Sequence, residues 1–310
     1  MIQYILRRML QMIPILIGVT ALIFLLFTYF GEDPARVALG AHATPAKIAA
    51  LRAKWGLDLP VWRQYLQFWR EILTADFGRS LVSGEKLSDM FKQGAWVSLS
   101  VTVPPFVMGT ILNLCVAMLV AWYRGTMFDR FMSVIFTACM SVSYLVYVLL
   151  MQYFLAYKLD LFEINGFIPG IKGVAYLLLP WLILMIVSFG PDVRLYRSIL
   201  LEESKADYVR TARAKGLSEG RIMFKHVLKN AMIPVMTYTV VEVPFLVMGA
   251  FVLEKYFSIP GLGDLLVSSV NTGDFPVIKG VTVMIAVSYA VFNLITDLLY
   301  AAVDPRVKLT

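Results

Sequence analysis

Leu10–Phe30, LQMIPILIGVTALIFLLFTYF, runs for 21 residues without a charge. A bilayer core of roughly 30 Å is crossed by about 20 apolar residues in a helix, so this stretch has the length of one crossing. Arg7 and Arg8 ahead of it resemble the start of a cleavable signal peptide, and Ala41-His42-Ala43 resembles a cleavage site. The apolar run is too long for a signal core, and the triplet lies too far beyond it. An uncleaved first span is expected.

Outward from that stretch the pattern repeats. Further apolar runs lie at about Ala95–Tyr123, Phe131–Tyr157, Val174–Arg194, Met232–Phe257 and Val277–Ala302, each bounded by charges or by Gly and Pro. Hydrophobic residues make up 59% of the 310 and charged residues only 16%, at a mean hydropathy of +0.73, which excludes a soluble fold. An all-α membrane protein of about six transmembrane helices is expected. The net charge of +7 would raise nucleic acid as a partner in a soluble chain. Here the bases sit in short segments between spans: Arg7 and Arg8, Arg124 and Arg130, the stretch from Arg197 to Lys229, and Arg306 and Lys308. The positive-inside rule makes all four cytoplasmic, both termini included, with lipid and not nucleic acid as the surroundings. The connections Lys158–Gly173 and Ser258–Pro276 then face outward.

Gly31, Asp33 and Pro34 end the first helix, and a mixed, charged segment follows to about Lys92. Three divisions result: residues 1–30 as the N-terminus and first span, 31–94 as an extracytoplasmic helical domain, and 95–310 as the core. In the second, Thr44-Pro45 followed by Ile48, Leu51, Trp55 and Leu57 reads as a capped amphipathic helix. Val61, Tyr65, Phe68, Trp69 and Ile72 read as another. Trp55, Trp62 and Trp69 suit either a membrane-interface layer or a small local core. Cys115 and Cys139 lie in different spans, and His42 and His226 are apart from them and from each other, so no metal site or Cys/His nucleophile is assembled. The sequence holds no Gly-rich phosphate cradle of the Walker type.

Glu202–Val235, EESKADYVRTARAKGLSEGRIMFKHVLKNAMIPV, is too polar to span and too long for a turn. Residues Glu203–Lys215 favour helix, Gly216 stands at a C-cap position, Ser218 caps a second helix, and Pro234 opens the fifth span. A helix, a sharp glycine turn and a second helix are expected within a cytoplasmic loop at residues 198–231. Such a stiff unit can transmit a push from a soluble partner into the membrane.

The run DYVRTARAKGL at Asp207–Leu217 resembles the peptide-permease version of the EAA loop of ABC importers. Other pieces agree in order along nearly the whole chain: YILRRMLQMIPILIGVT at Tyr4–Thr20, GLDLPVWRQYLQFW at Gly56–Trp69, DFGRS at Asp76–Ser80, KHVLKNAMIPV at Lys225–Val235, FSIPGLGDLL at Phe257–Leu266, DFPVIKG at Asp274–Gly280 and DLLYAAVDPRVK at Asp297–Lys308. The Arg-Thr-Ala-x-Ala-Lys-Gly core is highly specific; each other piece alone is weak. The resemblance is to the first-permease subunit of the peptide/nickel importer family, and it implies a type I importer permease fold in the bacterial inner membrane. It also implies a second permease, a paralogue, two ATP-binding subunits that carry ATP and magnesium, and an extracytoplasmic solute-binding protein. This chain itself is then a non-catalytic subunit without a bound cofactor or metal.

By that resemblance Arg210, Thr211 and Ala212 stand where the motif has Glu-Ala-Ala, and Gly216 is its glycine. Asp207, Tyr208, Arg213, Ala214, Lys215 and Leu217 complete the ATPase-coupling element. Thr211, Ala212 and Ala214 allow close approach to a partner groove, and Arg210, Arg213 and Lys215 can pair with acids on its wall. Gly31-Glu32-Asp33-Pro34 replaces the usual proline-glycine-aspartate-proline, and Lys158–Gly173 is short. Di- or oligopeptides are the expected cargo, with nickel or another small solute as the alternative.

Among polar residues in the spans, Glu242 is either a pathway-lining acid that meets an amine or cation, or a carboxylate bonded to a neighbouring helix. Asn293 and Asp297 share one face of the last span as interhelical glue. With Glu242 they also define the rival from another class, an ion-coupled secondary transporter. Copurification with ATPase chains separates the two.

Overall fold

The computed structural model describes residues 2–29, 33–40, 44–74 and 77–303, and the side chains of 2–9, 34, 38, 247 and 297–303 lie outside that description. Expectations resting on Gly31, Glu32, His42, Asp76, Arg306, Lys308 and the side chains of Arg7, Arg8 and Asp297 therefore fall outside it. Apart from turns, loops and one isolated antiparallel bridge between Arg79 and Lys86, the described residues are helical: α1 (Ile2–Tyr29), α2 (Pro34–Leu39), α3 (Pro45–Lys54), α4 (Val61–Thr74), α5 (Leu87–Trp122), α6 (Met127–Ser141), α7 (Tyr144–Met151), α8 (Val174–Glu203), α9 (Asp207–Ala214), α10 (Glu219–Arg221), α11 (Leu228–Met248), α12 (Phe251–Tyr256), α13 (Leu262–Thr272) and α14 (Phe275–Val303).

Among the described residues four helices, α1, α5, α8 and α14, are long and apolar enough to cross a membrane, and the bent pair α6–α7 makes a fifth. α11, with 21 residues and Glu242 inside it, is about 30 Å long but is not among the helices that qualify by length and apolarity, so four or five of the about six expected crossings are met among the described residues. α5 packs along α8, where Asn113 Nδ2 donates to Asp192 Oδ2 at 2.9 Å. α6 presses on α8 so closely that a Cβ at Gly190 would stand 2.9 Å from the carbonyl of Phe136. Small residues at such seams let helices meet by packing where lipid gives no hydrophobic drive.

Two of the expected spans are broken. Residues 131–157 were expected as one helix, yet the axis turns by 94° between α6 and α7. Val142 is extended there, and the Cys139 carbonyl, freed from its helical partner, accepts from the Tyr147 hydroxyl at 3.0 Å. The stretch Met232–Phe257 likewise ends at Gly249, whose φ of 79° and missing Cβ admit Glu254 Oε1, 2.6 Å from where a Cβ would be. The carboxylate of Glu254 is buried and accepts from the backbone of Gly263 at 2.7 Å and Ala250 at 3.2 Å, capping α13. The expected loop Ser258–Pro276 thus contains a helix.

The segment between α1 and α5 forms two helices where they are expected, although Thr44 makes no side-chain cap, α3 ends at Lys54 short of Leu57 and none of its residues is buried; α2 precedes them, capped by Asp33 through Ala35 N at 3.0 Å. The segment is tied to the bundle, not free of it. Phe24 of α1 stacks on Phe68 and tilts against Tyr65, Thr20 Oγ1 meets Tyr65 Oη at 3.1 Å, and buried Asp274 accepts from Ser80 Oγ at 2.5 Å. Trp62, Leu66 and Leu73 of α4 are exposed. They flank the same apolar arc as Phe68, while Arg63, Gln67 and Arg70 line the opposite, polar face of α4, an amphipathic pattern that suits a helix lying at a membrane interface.

Candidate coupling hairpin

The polar stretch folds as a hairpin seated on the bundle end formed by α5, α6, α8 and α11. α8 runs on to Glu203, a short turn follows, and α9 spans Asp207–Ala214. Gly216 then takes φ +75°, Leu217 N donates to Ala212 O at 3.3 Å, and Gly216 N donates to Arg213 O at 2.9 Å. These two bonds are the paired closure of a Schellman turn, which satisfies the last carbonyls of α9 and reverses the chain. A Cβ on Gly216 would meet nothing within 4 Å, so the glycine is required by conformation and not by space. Ser218 is extended at the start of α10 but makes no side-chain cap, and the chain passes through a π-helical turn at Ile222–Val227 into α11.

α9 has two unlike faces. Val209 and Ala212, three residues apart, are buried in one apolar cluster with Ala117, Ala121, Leu200, Ile222 and Val227, and Tyr208 and Leu217 pack against it. Asp207, Arg210, Thr211 and Ala214, at helical spacings of three, four and seven, are exposed together. Of the small residues expected to face a partner, Thr211 and Ala214 are exposed, and Ala212 packs on the chain's own body. Arg210 Nη1 lies 3.4 Å from Asp207 Oδ1. Lys215 is exposed beside the turn.

Arg213 is exposed and already has a partner within the hairpin. Its Nε donates to Glu219 Oε1 at 2.7 Å and its Nη2 to Glu219 Oε2 at 3.0 Å, a bidentate bridge from α9 to α10. Those hydrogen bonds hold the Glu219 carboxyl below the usual carboxylate range and raise Arg213. Tyr208 Oη donates to Glu203 Oε2 at 2.6 Å, and burial first, then that carboxylate, pushes its phenol up. Glu219 was not singled out from sequence; its signal was a place three residues past a turn-forming glycine and six past an arginine. Nearby, buried Asp129 of α6 holds Arg197 of α8 at 2.7 Å.

Glu242 is half-buried on α11, near a second acid that sequence reasoning passed over. Asp192 on α8 is buried, bonded by Asn113 and by Tyr238 Oη at 3.4 Å, while Tyr196 Oη meets Thr239 Oγ1 at 3.3 Å. This network joins α5, α8 and α11. Its only sequence signal was one aspartate inside an apolar run. Asn293 is exposed.

The described residues thus form a helical bundle, four or five of whose helices are long and apolar enough to cross a membrane, with a polar hairpin seated at one end. The fold is similar to the methionine ABC transporter MetNI in inward-facing conformations, with a TM-score of 0.57 at 18% identity over 69% of this chain and 96% of that one. The chain belongs to the family of binding-protein-dependent transport system inner membrane components, which it matches over residues 113–309, with the N-terminal component of such systems matched over residues 1–89. It is 35% identical over 311 residues to the glutathione transport system permease protein GsiC of Salmonella typhimurium, covering 99% of each chain. It is 33% identical over 310 residues to that of Escherichia coli, again covering 99% of each.

Proposed function

We propose that this chain is the permease subunit of an ATP-driven importer of small peptide-like solutes, and that α9 is the handle by which ATPase subunits move it. The observation that carries this reading is the division of α9 into a face seated on the bundle and a face, Asp207, Arg210, Thr211 and Ala214, left clear. A groove on a soluble partner that takes this face acts directly on the ends of α5, α8 and α11. The hairpin end is then cytoplasmic, as are both termini, and the α2–α4 domain faces outward toward a solute-binding protein.

A second permease, a paralogue, completes the pathway in this reading, and two partner chains bind ATP and magnesium. The glutathione relatives favour a peptide-like cargo over nickel. Nucleotide-driven closure of the ATPases draws the two hairpins together, and α9 converts that motion into movement of the spans. Asp192 and Glu242 supply the polar network of the pathway wall.

The test is site-directed cross-linking in the reconstituted assembly. A cysteine at Arg210 or Ala214 should cross-link to the ATPase subunits in a nucleotide-dependent way, and one at Val209 should not. Equal labelling of both positions, or full ATP-driven uptake by a chain purified without ATPases, overturns the reading.

A further inference from the structure

A cleft lies between the α2–α4 domain and the ends of α1 and α14, remote from the hairpin. It has two lobes, of about 290 Å³ and about 510 Å³, that share Phe27, Trp55, Leu57, Glu71 and Lys279 at their waist. Sizes of this order accommodate a small organic ligand. The smaller lobe is polar, with Asp33, Arg52, Gln64 and Gln67. The larger is faced by Phe68, Phe77, Leu81, Phe275 and Pro276, with Arg79 at its edge.

The charges at the waist are matched but loosely held. Lys279 Nζ is 3.4 Å from Glu71 Oε2 and 4.0 Å from the centre of the Phe68 ring, and both side chains of the pair keep about a third of their surface open. Arg52 Nε is 3.6 Å from Asp33 and 3.8 Å from Asp58. A site whose acids and bases cancel has no net pull on a simple ion. Long, part-open pairs of this kind can be replaced one for one by a ligand that brings both charges itself.

We propose that this cleft binds a zwitterion bearing an apolar group, its ammonium beside Glu71, its anionic oxygens beside Lys279, and its apolar part among Phe68, Phe77 and Phe275. Two sources share that chemistry: an aminophospholipid of the surrounding leaflet, whose acyl chains the exposed Trp62, Leu66 and Leu73 of α4 would meet, and a short peptide with free termini. Neither depends on the hairpin's role, since the cleft lies at the opposite end of the bundle.

The experiment uses the purified full chain in detergent and in nanodiscs, read by thermal unfolding and by native mass spectrometry. The probes are phenylalanyl-alanine and short-chain phosphatidylethanolamine; the controls are the N-acetylated dipeptide amide and phosphatidylglycerol of equal chain length. Saturable binding of at least one zwitterion is expected, at least tenfold tighter than its control and at least tenfold weakened by Lys279→Met. Glu71→Gln, which keeps the shape of the waist, should weaken it similarly and serves if Lys279→Met does not fold. Binding of the lipid alone assigns a headgroup site, and binding of the dipeptide alone assigns a solute site; both uphold the proposal. Absence of saturable binding, equal binding of the controls, or unchanged affinity in the folded variants overturns it, and none of these outcomes bears on cross-linking at α9.

Discussion

Arg213 and Glu219 clasp each other across Gly216 through two hydrogen bonds, of 2.7 Å and 3.0 Å, and so fix the angle between α9 and the helix that leads into α11. Exposed ion pairs add little stability, and this one stands in water on both sides. Its effect is expected on coupling instead. Glu219→Gln should lower ATP-driven uptake several-fold in the reconstituted assembly with little change in unfolding temperature, and the swap Arg213→Glu with Glu219→Arg should restore at least half. Loss of uptake in proportion to loss of folded protein would sink the idea.

The same clasp has a pH signature. Glu219 titrates below its usual value when folded, so the contribution of the pair is complete above roughly pH 4.3 and is lost as pH falls through the lowered value. The Arg213 Nε–H resonance should stay at its bonded position through the ordinary glutamate range and move only beneath it. At 1 M salt, where screening acts over about 3 Å, the shift should shrink. A resonance that titrates as a free glutamate would argue against the bridge.

Two glycines fail for opposite reasons when substituted. Gly216 has open space but φ +75°, so Gly216→Val should cost about 1–2 kcal/mol and Gly216→Asn much less. Gly261 has an ordinary φ of −92°, yet a Cβ there would overlap the Glu254 carboxylate and stand 2.6 Å from Ser98 Oγ. Gly261→Ala should therefore cost about 1–3 kcal/mol or more through overpacking. Gly18→Ala in α1, with nothing within 4 Å, is the control and should be neutral or stabilising. Thermal unfolding in one detergent decides all three.

The bend between α6 and α7 depends on a single hydroxyl. Tyr147→Phe removes the hydroxyl that donates to the Cys139 carbonyl and should cost about 1–2 kcal/mol while leaving the ring packed. Hydrogen exchange at residues 139–147 should rise more than in the rest of α6. Exchange unchanged from the parent would mean that the bend is held by packing alone.

What the sequence revealed follows from how local each cause is. Runs such as Leu10–Phe30 declare their length in their own residues, and Thr44-Pro45, the Val61–Ile72 stripe and Gly216 carry their periodicity or turn chemistry within one or two turns. The bend at Val142 leaves no such trace, because Tyr147 must already be folded back to satisfy Cys139. Likewise α13 owes its start to Glu254, eight residues upstream of Leu262, and a run read as membrane was in fact its cap. Asp192 and Arg213 show the same limit at the site. Each finds its partner on a neighbouring helix, and only the packed structure brings Asn113 or Glu219 within reach.

The seating of Val209 and Ala212 has a consequence for redesign. Alternate positions of α9 answer to different masters: 209 and 212 to the chain's own interior, 207, 210, 211 and 214 to whatever stands outside. Retargeting the subunit to a foreign motor is therefore a matter of rewriting the second set while copying the first unchanged, and a wholesale transplant of another subunit's helix would unseat the handle before it could be gripped.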